Sequence, residues 1–244
     1  MTLGGRGVLV TRPAGTAARL AERIERAGGR AILFPAIEIL ALPPPAAFDR
    51  LGDFALAIFV SPSAVERALA LLGGWPQGLA TAAVGEGTRR ALERAGVRHV
   101  LAPEEGGDSE SLLALPELAR YAGRRVLIVR GVGGRELLGS SLAARGCEVE
   151  LAECYRRARP QADAAAVLGA WREGRVHAVT VFSREALDNL VVMLGEALLR
   201  QTPLFVSHPR IAAHAAARGL PAIVAGPNDD AMVERLVAYF HERN

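Results

Sequence analysis

Two periods alternate along the chain. Short apolar runs, many of them β-branched, recur as GVLV (7–10), LAIF (56–59), VLIV (126–129), AVTV (178–181) and LFV (204–206). Such runs, apolar at every position, predict strands buried on both faces. Each is followed by a turn and then by an Ala/Leu/Arg segment of helical period that closes on glycine, as in TAARLAERIERAGG (16–29) and SAVERALALLGG (63–74). Strands alternating with helices in this way predict an α/β fold built on parallel sheets.

The units repeat. LAIFVSPSAVERAL (56–69) lies over AVTVFSREALDNL (178–190) with Ser61 on Ser183, 122 residues apart. AAVGEGTRRALERAGV (82–97) lies over LFVSHPRIAAHAAARGL (204–220) with Gly85 on Ser207, again 122 apart, the second copy carrying one extra residue before Gly219. GVLVTRPAGTAARLAERIERAGG (7–29) lies over RVLIVRGVGGRELLGSSLAARGC (125–147) with Arg12 on Arg130, 118 apart. The chain reads as three strand–helix units used twice. The midpoint, ELARYAGRRV, is a short helix-to-strand turn without linker character, whereas the prolines cluster in FPAIEILALPPP (34–45) and AECYRRARPQ (152–161). Cutting at the prolines predicts a discontinuous domain of residues 1–35 plus 161–244 and an inserted domain of residues 43–152. Residues 36–42 and 153–160 then form a two-stranded linker. The predicted architecture is two similar parallel-sheet α/β lobes with a ligand cleft between them, and two lobes on a double linker are expected to move relative to each other.

Charge and composition narrow the chemistry. A net charge of +3 over 244 residues gives no argument for nucleic acid. No apolar run approaches the ~18 residues of a membrane span, and the N-terminus lacks a signal peptide's apolar stretch. Two cysteines, Cys147 and Cys154, suggest reduced thiols and a cytoplasmic location. All 29 basic residues are arginine. Without lysine there is no side-chain Schiff base and no P-loop lysine. Arginine instead suits carboxylates and phosphates, which it holds through paired hydrogen bonds.

The stretch IVRGVGGRELL (128–138) carries a strand into three glycines and then a helical pattern. A dinucleotide fingerprint needs G-x-G-x-x-G, and Glu136 stands where the third glycine belongs. Three readings remain: a partial nucleotide site, a tight turn without ligand, and an anion site of backbone N–H groups at Gly131, Gly133 and Gly134 beside Arg130 and Arg135. Similar helix starts recur at Thr11-Arg12, Ser61-Pro62-Ser63, Gly85 to Thr88, Ser109, Ser183-Arg184 and Ser207 to Arg210. Each alone suits an N-cap. In a parallel sheet they all fall on the edge where ligands bind, which fits a large substrate with many carboxylates. The five histidines show no metal-ligand spacing and no G-x-S-x-G elbow is present, so neither a metal nor another cofactor is expected.

With these blocks in order, nearly the whole chain resembles the uroporphyrinogen-III synthase family. The resemblance is carried by VLVTRP (8–13), IVRGVGGRE (128–136) and GCEVELAECYRR (146–157), supported by FVSPSAV (59–65), AVGEGT (83–88), SESLLALPEL (109–118) and FVSHPRIA (205–212). It implies a cofactor-independent lyase of tetrapyrrole biosynthesis. Such an enzyme closes hydroxymethylbilane with loss of water and inverts the terminal pyrrole through a spirocyclic intermediate, chiefly by holding one folded conformer. It further implies that Tyr155, as the linker tyrosine lying outside either core, supplies the proton for hydroxide departure. Thr11, Arg12, Ser61, Ser63, Gly85, Thr88, Ser109, Arg130, Gly131, Gly133, Gly134, Ser183, Ser207 and Arg210 are the expected substrate contacts. A monomer is expected, with transient contact with hydroxymethylbilane synthase as a further expectation. The turns Phe182-Ser183-Arg184-Glu185 and Ser207-His208-Pro209-Arg210 depart from the family's commoner Ser-Pro and Gly-Pro-Thr-Thr types, so their side chains transfer least safely. The rival class is a non-catalytic two-lobed module that binds an acidic small molecule.

Overall fold

The apolar runs become strands because only a sheet interior can bury both of their faces. In a computed structural model, which describes residues 2–104 and 106–243, the chain opens with β1 (Gly7–Val10), α1 (Ala14–Arg26) and β2 (Arg30–Leu33). Then come β3 (Glu38–Ala41), β4 (Leu56–Phe59), α2 (Pro62–Leu72), β5 (Thr81–Ala83), α3 (Glu86–Arg94) and α4 (Ser109–Leu113). The middle of the chain closes with β6 (Arg125–Gly131), α5 (Leu137–Ala144) and β7 (Glu148–Ala158). The rest holds α6 (Ala165–Arg172), β8 (Ala178–Val181), α7 (Arg184–Leu194) and α8 (Glu196–Gln201), then β9 (Leu204–Val206), α9 (Pro209–Ala216), β10 (Ala222–Val224) and α10 (Asp229–His241).

These elements form two units, residues 1–38 with 158–244 and residues 39–157. The first unit holds a parallel sheet of order β10-β9-β8-β1-β2. The second has the order β3-β7-β6-β4-β5, parallel from β7 through β5. There β3 is an added edge strand, hydrogen-bonded to β7 and continued by Leu42, whose N–H donates to the Cys154 carbonyl at 3.2 Å. Residues 36–42 and 153–160, expected to form a two-stranded linker, lie largely in β3 and β7. Proline marks the ends of these segments and leaves the backbone donors between them free to pair.

Four strands of each sheet, β9-β8-β1-β2 and β5-β4-β6-β7, share their order and their register. Val8 faces Ala178 across β1 and β8, while Val126 faces Leu56 across β6 and β4, shifts of 118 and 122 residues. Gly7 faces Arg30 as Arg125 faces Glu148. Val179 faces Leu204 as Ala57 faces Thr81, so the offset in β5 and β9 is already 123. The extra residue of the later copy therefore precedes the turn rather than following it. Gly85, the N-cap of α3, corresponds to His208, the N-cap of α9, and not to Ser207. Side chains alternate across a strand, and a one-residue slip would expose a core face. Shared registers in three strand pairs are what a duplicated ancestor leaves.

Both faces of the second sheet are covered. Ala57, Phe59, Leu127 and Val129 pack with Val65, Ala68, Trp75 and Leu92 on one side. Leu56, Ile58, Val126 and Ile128 pack with Leu112, Leu118, Leu138 and Leu142 on the other. In the first unit, Val8, Val10 and Phe205 pack against Leu20, Ile24, Met232 and Leu236 of α1 and α10. Each large aliphatic buried in this way contributes about 1.5–3 kcal/mol. That fixes the strand ends from which the candidate residues project.

Candidate functional site

The group that comes close to the glycine stretch is a tyrosine. At the end of β6 the pairing with β7 shifts: Arg130 faces Glu153, but Gly131 faces Tyr155. Such a bulge re-aims a side chain, and here it sets the Tyr155 ring against bare backbone. A Cβ built on Gly131 would stand 2.5 Å from Cε2 and 2.6 Å from Cζ of that ring. No side chain fits there. Tyr155 is 4% exposed and belongs to the core group with Phe59 and Val129. It was expected outside either core, but β7 continues as a paired strand past it and turns its ring inward.

Tyr155 is held through both its backbone and its hydroxyl. The Tyr155 carbonyl accepts the Val132 N–H at 2.8 Å. The hydroxyl lies 3.0 Å from Ser61 Oγ, where either oxygen can donate. Ser61 is the N-cap of α2 and its Oγ accepts the Ala64 N–H at 3.1 Å. When Ser61 donates to the phenol oxygen, the Tyr155 proton is left for a ligand.

Beyond Gly131 the backbone adopts left-handed conformations at Gly133 (φ 72°) and Gly134 (φ 95°), which glycine takes without steric cost. Helix α5 starts only at Leu137, with Glu136 making no side-chain cap. The glycine run is therefore an open loop rather than a helix start. The Arg130 guanidinium lies beneath it, 8% exposed. Its Nε donates to the Gly131 carbonyl at 3.1 Å, with Glu153 Oε1 at 3.9 Å. Arg135 forks onto Glu110: Nη1 donates to Oε2 at 2.9 Å, and Nη2 closes on Oε1. Hydrogen bonding from Arg135 holds the Glu110 carboxyl below the usual carboxylate range. The pair is exposed, so it orients the loop more than it stabilises the fold.

Together these residues enclose a cavity of about 200 Å³. Ser61, Ser109, Arg130, Gly131, Gly133, Gly134 and Tyr155 line it, completed by Val60, Ile128, Arg135, Leu138, Gly139 and Arg157. Three guanidinium groups, two hydroxyls and a phenol face a small volume, which is the composition of a carboxylate site. Arg157, Leu138 and Gly139 were not singled out from the sequence. Arg157 lies two residues beyond Tyr155 on the same strand, and strand periodicity could have flagged it.

Three expected contacts of this unit fall elsewhere. Ser63 lies in the first turn of α2, Thr88 is buried in α3, and Gly85 is required by packing. A Cβ on Gly85 would stand 2.8 Å from the Cα of Gly107.

In the first unit, the candidates are mostly engaged by their own fold. Thr11 Oγ1 donates to the Thr180 carbonyl at 2.6 Å. Ser183 caps α7, accepting the Ala186 N–H at 3.0 Å, and Ser207 Oγ donates to the Phe182 carbonyl at 3.4 Å. Arg210 is exposed, its backbone N–H donating to His208 Nδ1 at 3.3 Å. Arg12, expected to supply charge to a substrate, stands 3.6 Å over the Phe182 ring with Nη2 2.8 Å from Asp229 Oδ1. Asp229 Oδ1 forms no aligned hydrogen bond and Arg12 Nε has no acceptor, so the contact is one of charge. Burial pushes the Arg12 guanidinium below its ordinary pKa, against the pull of Asp229. Its charge is already spoken for.

Among the described residues, no group of three or more His, Cys, Asp or Glu could hold a metal ion, and no helix is long and apolar enough to cross a membrane.

Residues 18–234 match the family model described as Uroporphyrinogen-III synthase HemD. The uroporphyrinogen-III synthase of Escherichia coli (strain K12) is 39% identical over 191 residues, covering 75% of this chain and 78% of that one. That of Proteus mirabilis is 34% identical over 160 residues, covering 62% and 79%. Two solved structures share the fold. Uroporphyrinogen-III synthetase from Helicobacter pylori 26695 has a TM-score of 0.67 at 15% identity, covering 98% of this chain and 100% of that one. A mutant uroporphyrinogen III synthase from the extremely thermophilic bacterium Thermus thermophilus has a TM-score of 0.58 at 19% identity, covering 97% and 99%. With a family model spanning most of its length and a relative at 39% identity, this chain belongs to the uroporphyrinogen-III synthase family.

Proposed function

We propose that the chain closes hydroxymethylbilane to uroporphyrinogen III, and that the cavity beneath the glycine loop holds the end of the substrate that loses water. The observation that carries this reading is the Tyr155 hydroxyl. It opens on a cavity lined by arginines and is fixed by Ser61 on one side and by bare backbone at Gly131 on the other.

In this reading Tyr155 donates its proton to the departing hydroxide as the C–O bond of the hydroxymethyl group breaks. Water leaves, and an azafulvene cation remains. The substituted α-carbon of the terminal pyrrole attacks that carbon to give a spirocyclic intermediate. Fragmentation and reclosure then invert the ring. The proton lost as the last pyrrole regains aromaticity returns to the Tyr155 oxygen, so the group acts first as acid and then as base. Arg130 and the loop at Gly133 and Gly134 hold a carboxylate arm of the reacting ring. General acid catalysis contributes about 10²–10⁴-fold; the choice of isomer comes from orientation.

A cavity of about 200 Å³ takes one substituted pyrrole. Pockets for whole drug-sized ligands run to ~300–1,000 Å³, so the other rings of a linear tetrapyrrole lie outside it. The test is to supply hydroxymethylbilane, oxidise the products and separate the isomers. Type III product at a rate proportional to protein supports the reading. Type I alone, at the rate without protein, overturns it and leaves a module that binds an acidic molecule without turning it over.

A further inference from the structure

The duplication gives the second unit's cavity a counterpart in the first unit, and the two differ at one decisive position. Arg130, the last residue but one of β6, corresponds to Arg12, two residues past the end of β1, the two being 118 apart like the paired residues of these strands. Asp108, the N-cap of α4, accepts the Ser111 N–H; Asn228, the N-cap of α10, accepts the Ala231 N–H. The first residue of α4 is Ser109, and the first residue of α10 is Asp229. Ser109 lines the cavity that holds Arg130. Asp229 is the residue that meets Arg12, 2.8 Å from Nη2, with Arg19 Nε 3.7 Å from its other oxygen. The helices differ too. α1 begins at Ala14, whereas the matching α5 begins at Leu137, so the residues that form the first turns of α1 are an open loop in the second unit.

We infer that Asp229 is a built-in carboxylate ligand of Arg12, and that Ser109 is the specificity-determining residue that keeps the corresponding site around Arg130 open to a carboxylate of the substrate. The carboxylate side chain fills and neutralises the first unit's site from within. A serine at the same place is short and uncharged, and leaves space beside Arg130, whose Nε stands 3.9 Å from Glu153 Oε1 against the 2.8 Å of the Arg12–Asp229 contact. The role given to Ser109 rests on the function proposed above; the role given to Asp229 does not.

The test uses the full chain in two arms. In Asp229→Gly the internal ligand is gone, and thermal unfolding is followed in chloride and in acetate at equal ionic strength. The melting temperature in chloride is expected to fall by about 5 °C or more, as when a partly buried pair loses one member. Acetate then restores at least half of the loss in the variant while leaving the wild-type protein unmoved. Asp229→Ser gives the same comparison with a smaller disturbance if the glycine variant does not fold. No difference between the two salts, or an equal rise in wild type and variant, overturns the inference for Asp229. In the second arm Ser109→Asp is expected to fold with an unchanged or higher melting temperature. It should raise KM for hydroxymethylbilane at least about 10-fold, the loss of one charged hydrogen bond. Acetate rescue together with an unchanged KM overturns the role of Ser109 and the carboxylate site around Arg130, while leaving Asp229 as the ligand of Arg12.

Discussion

Replacing Gly131 by alanine adds one methyl group, and the structure gives it nowhere to go. The new Cβ would stand 2.5 Å from Cε2, 2.6 Å from Cζ and 3.0 Å from Cδ2 of Tyr155. Carbon atoms settle at about 3.5–4.0 Å, so ring and strand must part by roughly 1 Å. The ring is packed within a core and cannot simply swing into solvent. Its hydroxyl is then drawn away from Ser61, now at 3.0 Å. Overpacking of this kind costs about 1–3 kcal/mol, which for a chain of this size lowers the melting temperature by about 2–12 °C. The catalytic loss should be larger in proportion, because a misplacement of about 1 Å costs on the order of 10²-fold. The assay is the initial rate of type III isomer formation by Gly131→Ala, Tyr155→Phe and the double variant. If the methyl group acts by displacing the phenol, the two losses do not multiply, and the double variant is about as slow as the slower single one. A Gly131→Ala protein that melts lower but turns over at the wild-type rate refutes the reasoning. So do two losses that multiply fully.

Other expectations follow from the same geometry. Ser61→Ala and Ser183→Ala each remove a helix cap and should lose about 0.5–2 kcal/mol in urea unfolding, but Ser61→Ala should lose more kcat because it alone frees the phenol; equal kcat losses would refute this. Arg130→Gln should raise KM by about 10–100-fold with a smaller change in kcat, since a charge-assisted bond to a carboxylate contributes ~1.5–3 kcal/mol, and steady-state kinetics decide it. Burial pushes the Cys154 thiol from 9.0 up to about 11. The unfolded chain therefore ionises first as pH rises, and the stability this thiol contributes is complete below about 9 and lost through about 11. Urea midpoints across that range should fall in the wild type and flatten in Cys154→Ala.

The fold was legible because its signals are local and redundant. An apolar run such as LAIF (56–59) can be buried on both faces only inside a sheet, and a strand followed at once by a helix leaves parallel pairing as the short connection. The repeat was legible for the same reason, up to the one residue by which β9 is displaced. Letter matching placed the extra residue after the turn. Register, which the side-chain alternation enforces, places it before.

The site was legible as a set of residues but not as a set of roles. IVRGVGGRE (128–136) marked the right loop, yet a glycine followed by a helical pattern looks the same whether the backbone approaches a phosphate, a carboxylate or a protein ring. Here the answer depends on a register shift between β6 and β7, set by pairing across residues 24 apart and invisible in either strand alone. Arg12 and Arg130 stand at the ends of matching sequence blocks and read alike. What separates them is Asp229, 217 positions from Arg12 and the first residue of the last helix, where an aspartate is ordinary as a complement to the helix dipole. A carboxylate at a helix start can serve that helix alone, or it can also neutralise an arginine brought to it by the fold. Sequence shows the first role and only packing shows the second. Duplicated chains therefore call for an extra comparison: before a matched pair of charged residues is given one function, the surroundings of each copy must be searched for an internal partner. The copy whose internal carboxylate is close, as Asp229 is to Arg12 at 2.8 Å, has less charge left for a substrate than the copy where it is distant, as Glu153 is from Arg130 at 3.9 Å.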